Sequence, residues 1–359
     1  MSNKTKEKKI VLGVSGGVDS STAALLLQEK GYTVIGVHFD IWPQKKEEGK
    51  TLGNVLPNAA VKAFEMCQRV GIQFIYKNVS EQFDDIIIRN FCEEYKCGRT
   101  PNPCIICNPI IKYQVLVDVA NELGAEKVAT GHYARTVEED GIYYIRKAEN
   151  LRKDQSYVLY RLPQDVISKI EFPLGEVEDK ALVKKLAMDN NLIDAQYKDS
   201  QGICFLEKDE TYNEYLERKE IDIPKGFFYD TEGKKLGEHT GIINYTIGQK
   251  KGLGLNLGKV AFVKAIDPKE NKVIITYDES DLFVKEIEFS DGFFVSNNVF
   301  DEQEEEFPYF AKPRYAAPPA KCRLKEGVVI FEEPQRAATP GQSIVVYKDD
   351  LVIGGGFIR

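Results

Sequence analysis

The 359-residue chain lacks any apolar run approaching the ~18 residues that a membrane span requires, which argues against an integral membrane protein. Its 43% hydrophobic and 29% charged residues are those of a soluble globular protein. The first residues, MSNKTKEKKIVLGV, hold lysines but neither an apolar h-region with a small-residue cleavage site nor an Arg/Ser-rich transit pattern. A cytoplasmic protein without a membrane partner is expected. The seven cysteines are odd in number and widely spread, so a secreted disulfide framework is excluded and cysteine pairs should be metal-binding or catalytic. There is no basic excess either. A net charge of -8 argues against a nucleic-acid partner unless local patches, such as the basic residues at 234–251 and 312–323, outweigh the total.

The length suggests two or three domains. KKIVLGV reads as a strand, SSTAALLLQEKG as a helix closed by Gly31, YTVIGVHF as a strand, NAAVKAFEMCQRVG as a helix closed by Gly71, and IQFIYKNV as a third strand. This alternation predicts an α/β domain with a doubly wound parallel sheet over residues 1–205. Ligands should sit at the carboxyl ends of its strands, including the one ending in KVATG. Residues 206–270 are charged, Tyr-rich and then dense in glycine, and suggest a small central module. Short alternating strands such as KVIITY, VVIFEE and SIVVYKDD predict a C-terminal β-barrel over 271–359, with DEQEEEF at 301–307 a solvated loop.

Between the first strand and first helix lies GVSGGVDSS, where Ser15, Gly16 and Gly17 should form a nest of backbone N–H groups at a helix N-terminus. Phosphate is the natural occupant. A Walker A loop would need Gly-Lys where Val18 and Asp19 stand, and a dinucleotide G-x-G-x-x-G is missing as well. With no lysine to reach a γ-phosphate, the loop suits a departing pyrophosphate, with Asp19 helping to place Mg²⁺.

SGGVDSS resembles the pyrophosphatase loop of enzymes that cleave ATP between the α and β phosphates to adenylate a substrate. The substrate is narrowed by GRTPNP with Cys107-Asn108, ATGHYAR, KDQSYVLYRL, DSQGICF, YTIGQKKGLG and PQRAATPGQSIVVY with GGGFI, which together resemble the tRNA-specific 2-thiouridylases. That resemblance implies an α/β nucleotide domain, a small central domain and a C-terminal β-barrel, and an enzyme that replaces the C2 oxygen of the wobble uridine of tRNA by sulfur. A uracil C2 carbonyl has no usable leaving group, so adenylation turns its departure into loss of AMP. The alternatives are another adenylating enzyme with the same loop, or a tRNA-binding sulfur-carrier scaffold.

By the resemblance Cys107 is the catalytic nucleophile and Cys204 carries or completes a persulfide relay, both as thiolates. The family more often has aspartate where this chain has Cys104. Cys104, Cys107 and Cys204 are therefore candidate ligands of three irons of a 4Fe-4S cluster holding a hydrosulfide. A persulfide relay without metal, and structural zinc with Cys97 as fourth ligand, stay open. Cys67, Cys92 and Cys322 lie in apolar or strand patterns and are expected in packing. Gly13, Val14, Ser15, Gly16, Gly17, Val18, Asp19, Ser20, Phe39 and Gly131 are implied to border ATP. Asn102, Pro103 and Cys104 are implied to touch the target base, taken out of its stack, and His132, Lys153, Asp154, Gln155, Arg314, Tyr315 and Gln342 to contact tRNA elsewhere. A sulfur donor protein, a persulfide carrier or cysteine desulfurase, is the further partner implied.

Overall fold

The computed structural model describes residues 8–42, 56–192, 202–207, 209–300 and 306–359. Asp199, Ser200 and Gln201 of DSQGICF, and most of the acidic stretch expected as a solvated loop, lie outside these residues. The chain divides into two compact units, the first formed by residues 1–86, 104–205 and 350–352, the second by 87–103, 206–349 and 353–359.

The first unit is built on five parallel strands: β1 (Lys9–Gly13), β2 (Thr33–Asp40), β3 (Gln73–Asn78), β4 (Lys127–Ala129) and β7 (Ile170–Glu171), in the order β3-β2-β1-β4-β7. Ile10, Val11 and Leu12 are fully buried, as a central strand covered on both faces requires. Helix α1 (Val18–Glu29) follows β1, and α2 (Asn58–Val70) ends at Gly71 in the left-handed conformation. Both neighbours of β1 leave its carboxyl end open to the loop before α1, because β2 departs to one side and β4 to the other.

A helical run over Pro103–Leu123 comprises α3 (Pro103–Cys107), a π-helical turn (Asn108–Lys112) and α4 (Tyr113–Leu123). By length and composition it could cross a membrane, which corrects the expectation that no stretch comes close, but half of it is buried inside the protein, as in a core helix. An antiparallel hairpin, β5 (Ala134–Glu139) and β6 (Ile142–Lys147), pairs with Leu351 and Val352. Helix α5 (Lys180–Asp189) lies on α1, and Thr22 donates its hydroxyl to the Val183 carbonyl at 3.2 Å.

The second unit has a four-stranded sheet of β8 (Gly226–Asp230), β9 (Lys235–His239), β10 (Phe262–Asp267) and β11 (Lys272–Thr276), in the order β10-β11-β8-β9. His239 is buried in it: Gly241 N–H donates to Nδ1 at 3.1 Å, so Nε2 carries the proton and donates to the Asn271 carbonyl at 3.1 Å. The expected β-barrel is present and closed. Its strands are β12 (Phe283–Phe294), β13 (Tyr309–Lys312), β14 (Ala320–Lys325), β15 (Val328–Arg336), β16 (Ser343–Lys348) and β17 (Leu351–Ile358), with β12 pairing to both β15 and β17.

The segment 87–103 also belongs to this unit. Phe91 and Tyr95 of the Arg89–Lys96 helix meet the rings of Tyr215 and Tyr212, respectively, on the helix Tyr212–Arg218. Thr100 N–H donates to the Pro340 carbonyl at 2.8 Å, and Gln342 Nε2 donates to the Thr100 carbonyl at 2.7 Å.

Candidate functional site

The loop between β1 and α1 is shaped by residues with little freedom. Gly16 has φ +74°, and a Cβ on it would stand 3.0 Å from backbone atoms of Lys62 and Ala63 in α2. Gly17 is the N-cap of α1 and no side chain caps the helix there, so the nest at its first turn is made by backbone groups. Ser15 and Ser20 tie the loop across its mouth: Ser15 N–H lies 3.3 Å from Ser20 Oγ, which in turn donates to the Gly17 carbonyl at 3.1 Å. Val14 and Val18 are buried, so only their main chains reach the loop's surface.

Two walls flank this cradle. Phe39, at the end of β2, packs so closely on Gly13 that a Cβ there would be 3.3 Å from its ring. Gly131, just past β4, sits against the first turn of α1; a Cβ would be 3.0 Å from the Asp19 carbonyl carbon and the Ser20 nitrogen. The loop, Phe39 and Gly131 thus come together.

Asp19 is engaged in a way the sequence did not suggest. Tyr133 donates its hydroxyl to Oδ1 at 2.9 Å, and Lys180 at the start of α5 places Nζ 3.3 Å from Oδ2. Both carboxylate oxygens of Asp19 are thus engaged within the protein, and no three His, Cys, Asp or Glu side chains gather as a metal-ligand set among the described residues.

Cys104, Cys107 and Cys204 lie in the same unit. Ile105 is fully buried and anchors α3, while Cys104 is exposed and Cys107 partly exposed, three positions apart on one helical face. The π-helical turn that follows keeps the chain helical across Pro109, and the Lys112 backbone N–H donates to the Cys107 sulfur. Asn108 is fully buried and donates to the Val158 carbonyl at 2.8 Å, fixing the turn from below. Cys204 is exposed at the surface, held by its neighbour Phe205, whose ring packs edge-on against Phe83 at 5.8 Å.

Burial pushes the Cys107 thiol up, and the ammonium of Lys112 pulls it back. Although part of Cys204 faces solvent, the protein packed around it, with Cys104 and Cys107 close enough to act on its charge, pushes its thiol up to about 12 against the pull of Lys112. The three sulfurs and one lysine form a single electrostatic cluster. They do not form a metal-ligand set among the described residues. Cys97, the fourth sulfur considered for zinc, is exposed in the second unit. Cys67, Cys92 and Cys322 are buried.

His132 follows Gly131 and is held through Nδ1 by Thr130 Oγ1 at 2.7 Å and the Tyr113 hydroxyl at 3.2 Å. Burial, with Lys112 nearby, holds its imidazole well below the usual histidine range, so the ring is neutral at pH 7. Asp154 accepts from the Ala148 and Ser156 backbones and the Ser156 hydroxyl, and Gln155 accepts from Tyr133 N–H at 3.0 Å, so both side chains shape the turn after Lys153. Asn102, Pro103, Arg314, Tyr315 and Gln342 belong to the second unit. Arg314 and Tyr315 are exposed on one turn, and Gln342 braces Thr100.

Sequence reasoning missed Lys112, Tyr113, Thr130, Tyr133 and Lys180. Tyr133 and Thr130 lie inside the ATGHYAR stretch, which was a usable signal, but nothing around Lys180 marks it.

Residues 8–208 match the family model described as the tRNA methyl transferase HUP domain, 213–277 the tRNA methyl transferase PRC-barrel domain, and 290–358 the aminomethyltransferase beta-barrel domain. The chain is 43% identical over 363 residues to the tRNA-specific 2-thiouridylase of Clostridium acetobutylicum, covering 98% of this chain and 99% of that one. It is 41% identical over 359 residues to that of Clostridium botulinum, strain Alaska E43, covering 98% of each. A third relative, from Acetivibrio thermocellus, is 40% identical over 363 residues with the same near-complete coverage, 98% and 99%. Similarity that runs through all three regions at this level settles the family: the chain belongs to the tRNA-specific 2-thiouridylases.

Proposed function

We propose that the protein uses ATP to replace the C2 oxygen of the wobble uridine of tRNA by sulfur. The observation that carries this reading is that the anion-binding loop and the Cys104–Cys107–Cys204 cluster occupy one compact unit, in a chain related end to end to tRNA-specific 2-thiouridylases. A transferase moving a methyl group would have no evident use for either feature, whatever the family descriptions say of methyl transfer.

ATP, arriving with magnesium as part of the substrate, lies with its phosphates on the loop of Gly13 to Ser20 and its nucleoside between Phe39 and Gly131. The uridine O2 attacks the α-phosphorus, and the P–O bond to pyrophosphate breaks. A terminal persulfide sulfur on Cys204, delivered by a sulfur donor protein, attacks C2 and expels AMP. The Cys107 thiolate then attacks the Cys204 sulfur, breaking the S–S bond. Thiouridine leaves and a Cys107–Cys204 disulfide remains for external thiols to reduce, which suits a cytoplasmic enzyme. Lys112 favours the thiolate of both cysteines.

Asn102, Pro103 and Cys104 border the extruded base. His132, Lys153, Arg314 and Tyr315 contact tRNA directly, whereas Asp154 and Gln155 in the first unit and Gln342 in the second each fix backbone within their own unit. The test is iron and acid-labile sulfide on protein purified without oxygen, alongside tRNA thiolation by wild type and Cys104→Ala. Negligible iron with thiolation in both supports the relay. About four irons per chain, lost with activity in the variant, would replace it by a cluster held by Cys104, Cys107 and Cys204.

A further inference from the structure

The glycine loop carries no cation of its own, because Val18 and Asp19 occupy the positions where a lysine would stand. Backbone N–H groups and a helix N-terminus amount to about half a positive charge, small against the several negative charges of a polyphosphate. A cation is nevertheless present. Lys180, 161 residues away in sequence, brings Nζ to 3.3 Å from Asp19 Oδ2 in the first turn of α1 and 5.7 Å from the centre of the Tyr133 ring. Its side chain is only 13% exposed.

This placement is unfavourable for the helix taken alone, since the N-terminal end of α1 repels a positive charge. Holding α5 on α1 does not require it, because Thr22 and Val183 already join the two helices. A buried ammonium beside an uncapped nest is the arrangement an anion would complete. We propose that Lys180 is the polyphosphate-binding cation of this site, held in readiness by Asp19 and Tyr133 and shared with the phosphates when nucleotide binds. The inference rests on the reading of the loop as an ATP site.

The experiment is calorimetric binding of ATP, inorganic pyrophosphate and adenosine to the full chain, with magnesium present, for wild type, Lys180→Ala, Lys180→Arg and Asp19→Asn, with circular dichroism to verify folding. Lys180→Ala should bind ATP and pyrophosphate at least tenfold more weakly with adenosine unchanged, and Lys180→Arg should recover most of the loss. Asp19→Asn should bind pyrophosphate more tightly than wild type, since one negative charge beside the loop is gone; it also keeps the idea testable if Lys180→Ala does not fold. Equal affinities in wild type and Lys180→Ala, or a parallel loss for all three ligands, would overturn the proposal. Wild-type protein that binds neither ATP nor pyrophosphate would instead overturn the reading of the loop on which it rests.

Discussion

Replacing Gly16 by alanine should damage the loop and the stability of the first unit together, and Gly31→Ala provides the control. Both glycines have positive φ, +74° and +82°, but a Cβ at Gly31 meets nothing within 4 Å, whereas one at Gly16 would be 3.0 Å from the Ala63 nitrogen and the Lys62 carbonyl carbon. The left-handed conformation costs an L-residue roughly 1–2 kcal/mol, partly offset by the reduced freedom of the unfolded chain, by about 0.4–1 kcal/mol. Gly31→Ala should therefore lose about 1 kcal/mol. Gly16→Ala adds an overpacking cost of roughly 1–3 kcal/mol, because its neighbours are main-chain atoms of α2 that cannot swing aside. A total of about 2–4 kcal/mol follows. Trp42, the chain's one tryptophan, lies in the first unit, so its fluorescence during urea unfolding reads the loss there. Pyrophosphate release from ATP in the presence of tRNA should fall with Gly16→Ala and stay normal with Gly31→Ala. Equal destabilisation by the two substitutions, or full activity in Gly16→Ala, would refute this account of the loop.

Stability should decline in mild acid. Burial depresses the imidazoles of both His132 and His239 in the folded protein, while the unfolded chain protonates its histidines near 6.5. The unfolded state thus binds more protons below that pH, and stability present above it is lost as pH falls toward the folded-state values; urea midpoints at pH 7.5 and 5.5 check this, and equal midpoints would contradict it. Gln342→Ala removes the bond to the Thr100 carbonyl and should cost about 1 kcal/mol in the second unit, read by thermal unfolding followed by circular dichroism. Brief alkylation at pH 7.5 with mass-spectrometric mapping should modify exposed Cys97 and Cys104 and spare Cys67 and Cys322, whose buried thiols are pushed up to about 12. Labelling of Cys322 at the rate of Cys104 would show that the barrel core opens.

Much of the fold was legible because its parts announce themselves locally. KKIVLGV and YTVIGVHF are continuous apolar runs that only a strand covered on both faces can use, and the last 90 or so residues alternate with the period of two that a barrel wall imposes. The insertion of residues 87–103 into the second unit was not legible, since it depends on ring contacts such as Tyr95 with Tyr212, more than a hundred residues apart. At the site, the glycine positions followed from the main-chain conformation they permit. Lys180 did not, because its meaning arises from a contact with Asp19 that no local pattern encodes. Asp154, Gln155 and Gln342 show the opposite effect. Their motifs led to an expectation of tRNA contact, while their side chains are hydrogen-bonded within the fold.

The account stands most directly on the separation of two half-reactions in the Cys107→Ser variant, assayed with ATP, unmodified tRNA and a persulfide donor. Wild type should form one AMP and one pyrophosphate per 2-thiouridine. The variant should still release pyrophosphate when tRNA is added, since the loop of Gly13 to Ser20 is intact, and form no thiouridine. Pyrophosphate release that ignores tRNA, or undiminished thiouridine without the Cys107 thiol, would contradict the account.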